Sequence, residues 1–192
     1  MTGSASFSDA QAAIADAAIT VIAERGFDVV SVRSAAAAAG MSPGAVQYHF
    51  PSRQRLLQAA FQRSVQRQDA RVLAADRDVS SKRSPLRELL PIGPEQREDA
   101  LAWVAFGAAA STRPWLAELY RRELDSFREK LEEAFASGVE SGELRADLDV
   151  SLAARLVTAL VNGLTLDYIN SPGTEPAELD AMLESGLVRI LA

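Results

Sequence analysis

An all-α fold of about nine helices is predicted by three features of this 192-residue sequence. Apolar residues recur at the three- and four-residue spacing of helix faces, and nowhere do they alternate as in a strand. Serine, proline and glycine fall where helix starts and stops are needed. The third feature is an ordered stretch, SVRSAAAAAGMSPGAVQYHF over 31–50, which reads as two short helices joined by a tight turn, a helix-turn-helix. The architecture this predicts is a three-helix N-terminal head over 1–52 and a helical-bundle body over 53–192.

In chain order, Ser8 followed by Gln11 forms a capping-box pattern, and Ile14, Ala18, Val21 and Ile22 give the first helix its packing face up to Gly26. Phe27 is an apolar anchor, and Asp28 to Val30 a short link. Ser31 is a good N-cap for Val32 to Ala39, a segment with five consecutive alanines, the best helix former. Gly40 can take the left-handed conformation that ends this helix, with Met41 as an apolar plug. Ser42 restarts the chain, Pro43 suits the first helical position, and the next helix runs through Gly44 to His49 or Phe50 before Pro51. Val46 and Phe50 are assigned to the core of the head.

Ser52 can cap a long fourth helix with Leu56, Leu57, Ala60, Phe61, Val65, Val72 and Leu73 near one face and arginines between. Such a helix could join head to body. DRDVSSKRS, Asp76 to Ser84, is polar and aperiodic and reads as a loop. A short helix from Pro85 to near Pro91 follows, then one from Pro94 whose Ala100 to Ala110 segment is apolar nearly all round, the pattern of a central helix. Arg113-Pro114 begins a long amphipathic helix to about Ser141, capped by Gly142. Two more helices, Val150 to about Ile169 and one carrying Leu179 to Ile190, flank the loop NSPGTEP.

Composition limits the function. The chain is 48% hydrophobic, enough for a sizeable core, and has no cysteine and a single histidine, which leaves no disulfide scaffold and no thiolate metal site. The segment MTGSASFSDA has neither a basic nor an apolar leader region, and no uncharged apolar run of about 18 residues occurs. A soluble, cytoplasmic protein without a membrane partner is expected. Net charge is −6, but residues 1–87 hold 11 Lys/Arg against 7 Asp/Glu, a balance of +4, while 88–192 hold 9 against 19, a balance of −10. An acidic body with a mildly basic head suits a protein that meets phosphates only through the head. Paired carboxylates such as Glu132 and Glu133, or Asp147 and Asp149, look like solvent-facing charges. With no glycine-rich phosphate loop, nucleophile motif or metal-ligand spacing, no enzyme activity, cofactor or metal is expected. The rival class is a helical ligand-binding or interaction protein without specific DNA binding, for which the acidic total charge speaks.

The head resembles the DNA-binding domain of the TetR family of bacterial transcriptional regulators. The resemblance lies in an ordered series: ERGF ending the first helix, SVR opening the second, AAGMSPGAV across the turn, YHF closing the third, then PSR and LL opening the fourth. The C-terminal half is similar to the choline-responsive subgroup, through LRELLP, the WVAF helix and GELRADLDVSLAARLVTALVNGL. The resemblance implies a homodimer that binds a pseudo-palindromic operator through the head and a small-molecule effector through the body, with repression the usual outcome and activation the alternative. Many family members carry a hydroxyl residue where Ala45 stands and a tyrosine where Gln47 stands, so the operator is particular to this chain.

In a helix-turn-helix the second helix enters the major groove, while the first crosses the backbone with its N-terminus near a phosphate. Ser31 and Arg33 are thus candidate phosphate contacts, although Ser31 can be simply a cap. Ser42, Gly44 and Ala45 lie at the start of the presumed reading helix, where the missing side chain of Gly44 would allow close approach. Gln47 can present its amide to adenine or to a phosphate, or be a solvated surface residue. Tyr48 and His49 resemble family positions that touch the sugar-phosphate backbone. Arg53 can clamp a phosphate from the first turn of the next helix, or be solvated.

In the body, Trp103 and Phe106 are followed by Gly107 and three alanines, large groups beside small ones, a pattern that can leave a cavity. Phe61, Trp115, Tyr120, Asn162, Thr165 and Tyr168 are candidate companions, and the same aromatics can equally be plain core. An apolar cavity with a few polar groups is how small-molecule sites are built. The resemblance implies a cation against aromatic faces; a neutral or anionic hydrophobic effector also fits. For the dimer, Leu152, Leu156, Leu160 and Gly163 form one stripe and Leu179, Leu183, Gly186 and Ile190 another, each of which can also be ordinary core.

Overall fold

The computed structural model describes residues 7–78, 83–171 and 173–192. Eight α-helices are present among them: α1 (Asp9–Arg25), α2 (Val32–Ala39), α3 (Pro43–His49), α4 (Arg53–Asp76), α5 (Pro94–Ala110), α6 (Pro114–Ser141), α7 (Val150–Asn170) and α8 (Pro176–Leu191). Two 3-10 helices, Phe27–Val29 and Pro85–Leu89, complete the described elements. The second replaces the expected ninth α-helix. Pro85 and Pro91 bracket a segment too short for an i→i−4 ladder, and it closes instead through short-range bonds from Arg87 N to Ser84 O at 3.1 Å and Leu90 N to Arg87 O at 3.0 Å. Of the two loops expected from the sequence, residues 79–82 and Pro172 lie outside the described residues, as do 1–6 at the N-terminus.

Capping fixes the head. Ser8 and Gln11 form the reciprocal capping box expected of them. Ser31 and Ser34 form a second one at α2, and Gly40 ends α2 in the left-handed region at φ 65°. The Met41 N–H then returns to Ala36 O at 2.9 Å, which folds the chain tightly into α3. Ser42 caps α3 through the Ala45 N–H, with Pro43 at the first turn.

Packing is continuous from head to body. One core cluster joins α1–α4 with Ala102, Phe106, Ala109 and Ala110 of α5 and Leu116 of α6. The other joins Leu86 and Leu90 with Leu131 and Phe135 of α6 and the inner faces of α7 and α8. Fully burying a side chain such as Val46 or Phe61 contributes about 1.5–3 kcal/mol each, and both are 0% exposed.

The arginines of α4 lie in a charged seam against α1 and α5. Arg63 meets Asp16 through two bonds of 2.9 and 3.1 Å, Arg67 meets Glu98 at 2.7 Å, and Arg71 lies 2.8 Å from Asp99. The Ser64 hydroxyl also donates to Asp99, at 3.1 Å. Burial raises the Asp99 pKa, against the pull of Arg67 and Arg71. Three basic residues counted in the positive balance of the N-terminal part are thereby neutralised inside the fold.

Candidate nucleic-acid interface and effector cavity

The outer face of the helix-turn-helix is built by anchoring two residues of α3 and its end inward. Val46 is fully buried and Phe50 nearly so, which turns Gly44, Ala45, Gln47 and Tyr48 to solvent. Tyr48 is 85% exposed, a large apolar ring left outside a well-packed head, and its edge meets the His49 ring at 5.2 Å between centroids. His49 is half-buried. A Cβ added at Gly44 would have only the Ser42 hydroxyl within 4 Å, at 3.9 Å, so nothing else of the protein covers that face. Ser31 uses its hydroxyl as the α2 cap, accepting from Ser34 N at 3.0 Å, and Arg33 is exposed beside it.

Arg53 does not project as a phosphate clamp. Its Nε donates to Val30 O at 2.7 Å and its Nη2 to Phe27 O at 3.0 Å, the latter a carbonyl that also accepts the Val30 N–H at 3.4 Å. Arg53 therefore ties α4 to the start of the motif. Arg55, on the same turn of α4, is exposed and has no ion pair among the described residues; the sequence pattern offered no reason to prefer it over Arg53.

The body contains a cavity of about 60 Å³ between α4, α5, α6 and α7. Trp103, Asn162 and Thr165 line it as expected, with the Trp103 Nε1–H donating to Asn162 Oδ1 at 2.9 Å. The other six candidates lie elsewhere. Phe61 and Phe106 are fully buried in the head-side core, with Trp115 and Tyr120 packed against it, and Tyr168 packs at the edge of the second core. Gly107 leaves no void: a Cβ there would meet Tyr120 Oη at 3.0 Å, so the tyrosine ring fills the space. Trp103 and Tyr120 rings stand 4.5 Å apart, and burial pushes the Tyr120 pKa up to about 12.

Residues that sequence spacing did not single out complete the cavity wall. They include Val65, Gln68 and Asp69 of α4, Glu123, Leu124, Phe127 and Lys130 of α6, and Thr158 and Val161 of α7. Lys130 Nζ pairs with Asp69 at 2.7 Å. Glu123 has no hydrogen bond or ion pair among the described residues; burial, then the neighbouring Asp69, raises its pKa, against the pull of Lys130 and Arg122. Its charge at the polar margin of an amphipathic helix gave no hint of this.

Of the stripes expected at a partner face, Leu152, Leu156 and Gly163 are exposed, and Leu160 partly so. Leu179 and Leu183 are instead buried in the second core, 1% and 0% exposed, because α8 turns that stripe onto α7 of the same chain. Gly186 likewise packs within the chain: a Cβ there would stand 2.5 Å from Leu160 Cδ2. Ile190 is partly buried against the same core. The large exposed apolar residues on these helices are Leu152, Leu156 and Leu166 of α7 and Met182 and Val188 of α8. Helix α7 is long and apolar enough to cross a membrane by length and composition, but its apolar content divides between the core face and this exposed stripe.

Comparison with known proteins bears on both halves. Residues 14–60 match the family of bacterial regulatory proteins of the tetR type, and residues 82–192 match that of the BetI-type transcriptional repressor C-terminal domain. The chain is 29% identical over 163 residues to the HTH-type transcriptional regulator PksA of Bacillus subtilis, covering 83% of this chain and 78% of that protein. A transcriptional regulator from Rhodococcus sp. Rha1 is 30% identical, with a TM-score of 0.80 over 94% of this chain and 95% of that one. A regulator from Saccharomonospora viridis, solved in complex with choline, shares the fold at 24% identity and a TM-score of 0.80, covering 96% of this chain and 98% of that one. A capped helix-turn-helix with an open reading face, joined to a helical body that both comparisons match along its length, places this chain in the TetR family of ligand-responsive, DNA-binding transcriptional regulators.

Proposed function

We propose that the protein is a cytoplasmic, homodimeric repressor that binds a pseudo-palindromic operator and releases it when a small molecule occupies the body. The reading divides the chain into a DNA-binding head, 1–52, and an effector-binding and dimerisation body, 53–192. The observation that carries it is the outward projection of Gln47 and Tyr48 from a helix whose Val46 is fully buried. A rigid helix presenting an amide and a phenol to solvent is what base reading and backbone positioning in a major groove require.

In this reading Gln47 reads a base edge, Tyr48 and His49 position the sugar-phosphate backbone, and Ser31, Arg33 and Ser42 face phosphates at helix N-termini. Gly44 and Ala45 let α3 approach the groove closely. Two heads act together because the exposed apolar stripes of α7 and α8 cover each other across a two-fold axis, with Gly163 open for close approach. The choline complex of the Saccharomonospora viridis regulator supports small organic molecules as a ligand class for bodies of this shape.

The test is capture of genomic fragments by the purified protein, followed by sedimentation of the complex. A shared inverted-repeat sequence bound by two chains supports the proposal. Retention of DNA without any common sequence, or binding by one chain, contradicts it.

A further inference from the structure

A cleft of about 460 Å³ opens where the head meets the body, between the end of α3, the first turns of α4 and the first part of α6. Spaces of this order hold small organic molecules. Its floor is apolar: Phe50 and Ala59 are buried and Leu119 partly so. Arg55, Gln58, Ala59 and Gln62 follow one another at the spacing that puts them on one face of α4. Arg122, three positions after Leu119 on α6, lines the same space.

The polar groups around this floor are short of acceptors. The side chains of Arg55, Gln58 and Gln62 form no hydrogen bond or ion pair among the described residues. Arg122 is engaged through its Nε, which donates to Glu118 Oε1 at 3.1 Å. That carboxylate is already held by Arg121, from Nε at 3.2 Å and Nη2 at 2.9 Å, so both Nη groups of Arg122 are left over. His49 adds an imidazole on the side of the head. Two guanidinium groups line the cleft and, among the described residues, no carboxylate does.

We propose that this cleft is a second ligand site, separate from the cavity in the body, for an organic anion with a small apolar ring, such as an aryl phosphate. Its oxygens take the planar guanidinium donors of Arg55 and Arg122 and the amide N–H groups of Gln58 and Gln62, and its ring covers the floor of Phe50 and Leu119. The site's effect rests on the regulator reading. His49 belongs to the face assigned to the operator backbone, and Arg55 stands beside it, so an occupant of the cleft competes with DNA phosphates for the same side chains. An effector inside the body acts on the head only through the packing between them.

The experiment is calorimetric titration of the protein with phenyl phosphate, with inorganic phosphate as the anion alone and benzyl alcohol as the ring alone. Phenyl phosphate is expected to bind more tightly than either by about fivefold or more. Arg122→Gln, at a side chain 62% exposed, should weaken phenyl phosphate by about fivefold and leave benzyl alcohol and DNA retention unchanged. Arg121→Gln, on the same carboxylate but outside the cleft, should change none of these. Phenyl phosphate should also release retained genomic DNA, and should do so less in Arg122→Gln. Phenyl phosphate binding no better than inorganic phosphate or benzyl alcohol, or equal losses with the two arginine substitutions, would overturn the proposal. So would an Arg122→Gln protein that binds phenyl phosphate normally but has a flatter salt dependence of DNA retention, since the cleft would then belong to the operator backbone. Failure of the unsubstituted protein to retain any DNA strikes the regulator reading, whereas saturable binding of phenyl phosphate that depends on Arg122 upholds the site in either case.

Discussion

Asp28 Oδ1 accepts a hydrogen bond of 2.9 Å from Nη2 of Arg113, which joins the turn before the helix-turn-helix to the N-cap residue of α6, 85 positions later. Between them lies Phe27, with the Arg113 and Arg53 guanidinium groups 5.0 and 5.3 Å from its ring centroid. Phe27 meets Phe106 edge-on at 5.4 Å, Phe106 packs on Phe61 at 4.7 Å, and Phe61 stacks on Trp103 at 5.7 Å. Since Trp103 lines the cavity, unbroken contacts run from that cavity to the head.

Arg113→Ala tests whether that contact transmits. Asp28 is 78% exposed, so the pair itself contributes less than about 1 kcal/mol to stability. The substitution should leave the melting temperature nearly unchanged and reduce the factor by which a bound effector alters DNA affinity. DNA-binding curves with and without a compound found by thermal-shift screening measure that factor. An unchanged factor would show that the head is coupled to the body through other contacts.

Arginines at the head should divide into two kinds. Arg53→Ala removes two charged hydrogen bonds to backbone carbonyls and should destabilise the fold by about 1.5–3 kcal/mol, with the salt slope of DNA binding intact. Arg55→Ala should spare stability and flatten that slope by about one unit. Thermal melts and binding at several salt concentrations separate the two.

The reason Arg53 was not legible in the sequence is general. Its partners, the carbonyls of Phe27 and Val30, lie 26 and 23 positions earlier, and only the tertiary fold brings them within its reach. Local signals were fully readable: the Ser8–Gln11 box, Gly40 as a left-handed stop and Pro43 at a first turn each depend on neighbours in the chain. Gly107 shows the opposite case. A small residue beside large ones leaves a void only if nothing distant fills it, and Tyr120 does. The apolar stripe of α8 was also readable as a stripe, but one helix does not say whether Leu179 and Leu183 face their own subunit or a partner.

That distinction gives a prediction about assembly. Leu183→Ala, at a fully buried site, should cost about 2–5 kcal/mol. Leu156→Arg, on the exposed stripe, should preserve helical circular dichroism and convert the sedimenting species from two chains to one. A two-chain species that survives Leu156→Arg would move the interface to another face.

Glu123 carries a pH prediction. Its folded pKa is raised, so the native state holds this proton more tightly than the unfolded chain does. Stability is then lost as pH rises from the unfolded value to the folded one, and the penalty stays constant above it. Glu123→Gln should therefore raise the melting temperature at pH 7 and have little effect at a pH below the ordinary carboxylate range. Equal melting temperatures at both pH values would mean that the carboxylate is well solvated.

The central claim is that two heads read an inverted repeat through α3. Footprinting of a retained genomic fragment tests it most directly. Two protected half-sites, their centres about one helical turn or a multiple apart, are predicted, with Gln47→Ala relaxing base preference at one position in each half at a cost of about 1–3 kcal/mol. A single protected half-site, or protection that Gln47→Ala and Tyr48→Phe leave unchanged, would contradict the account.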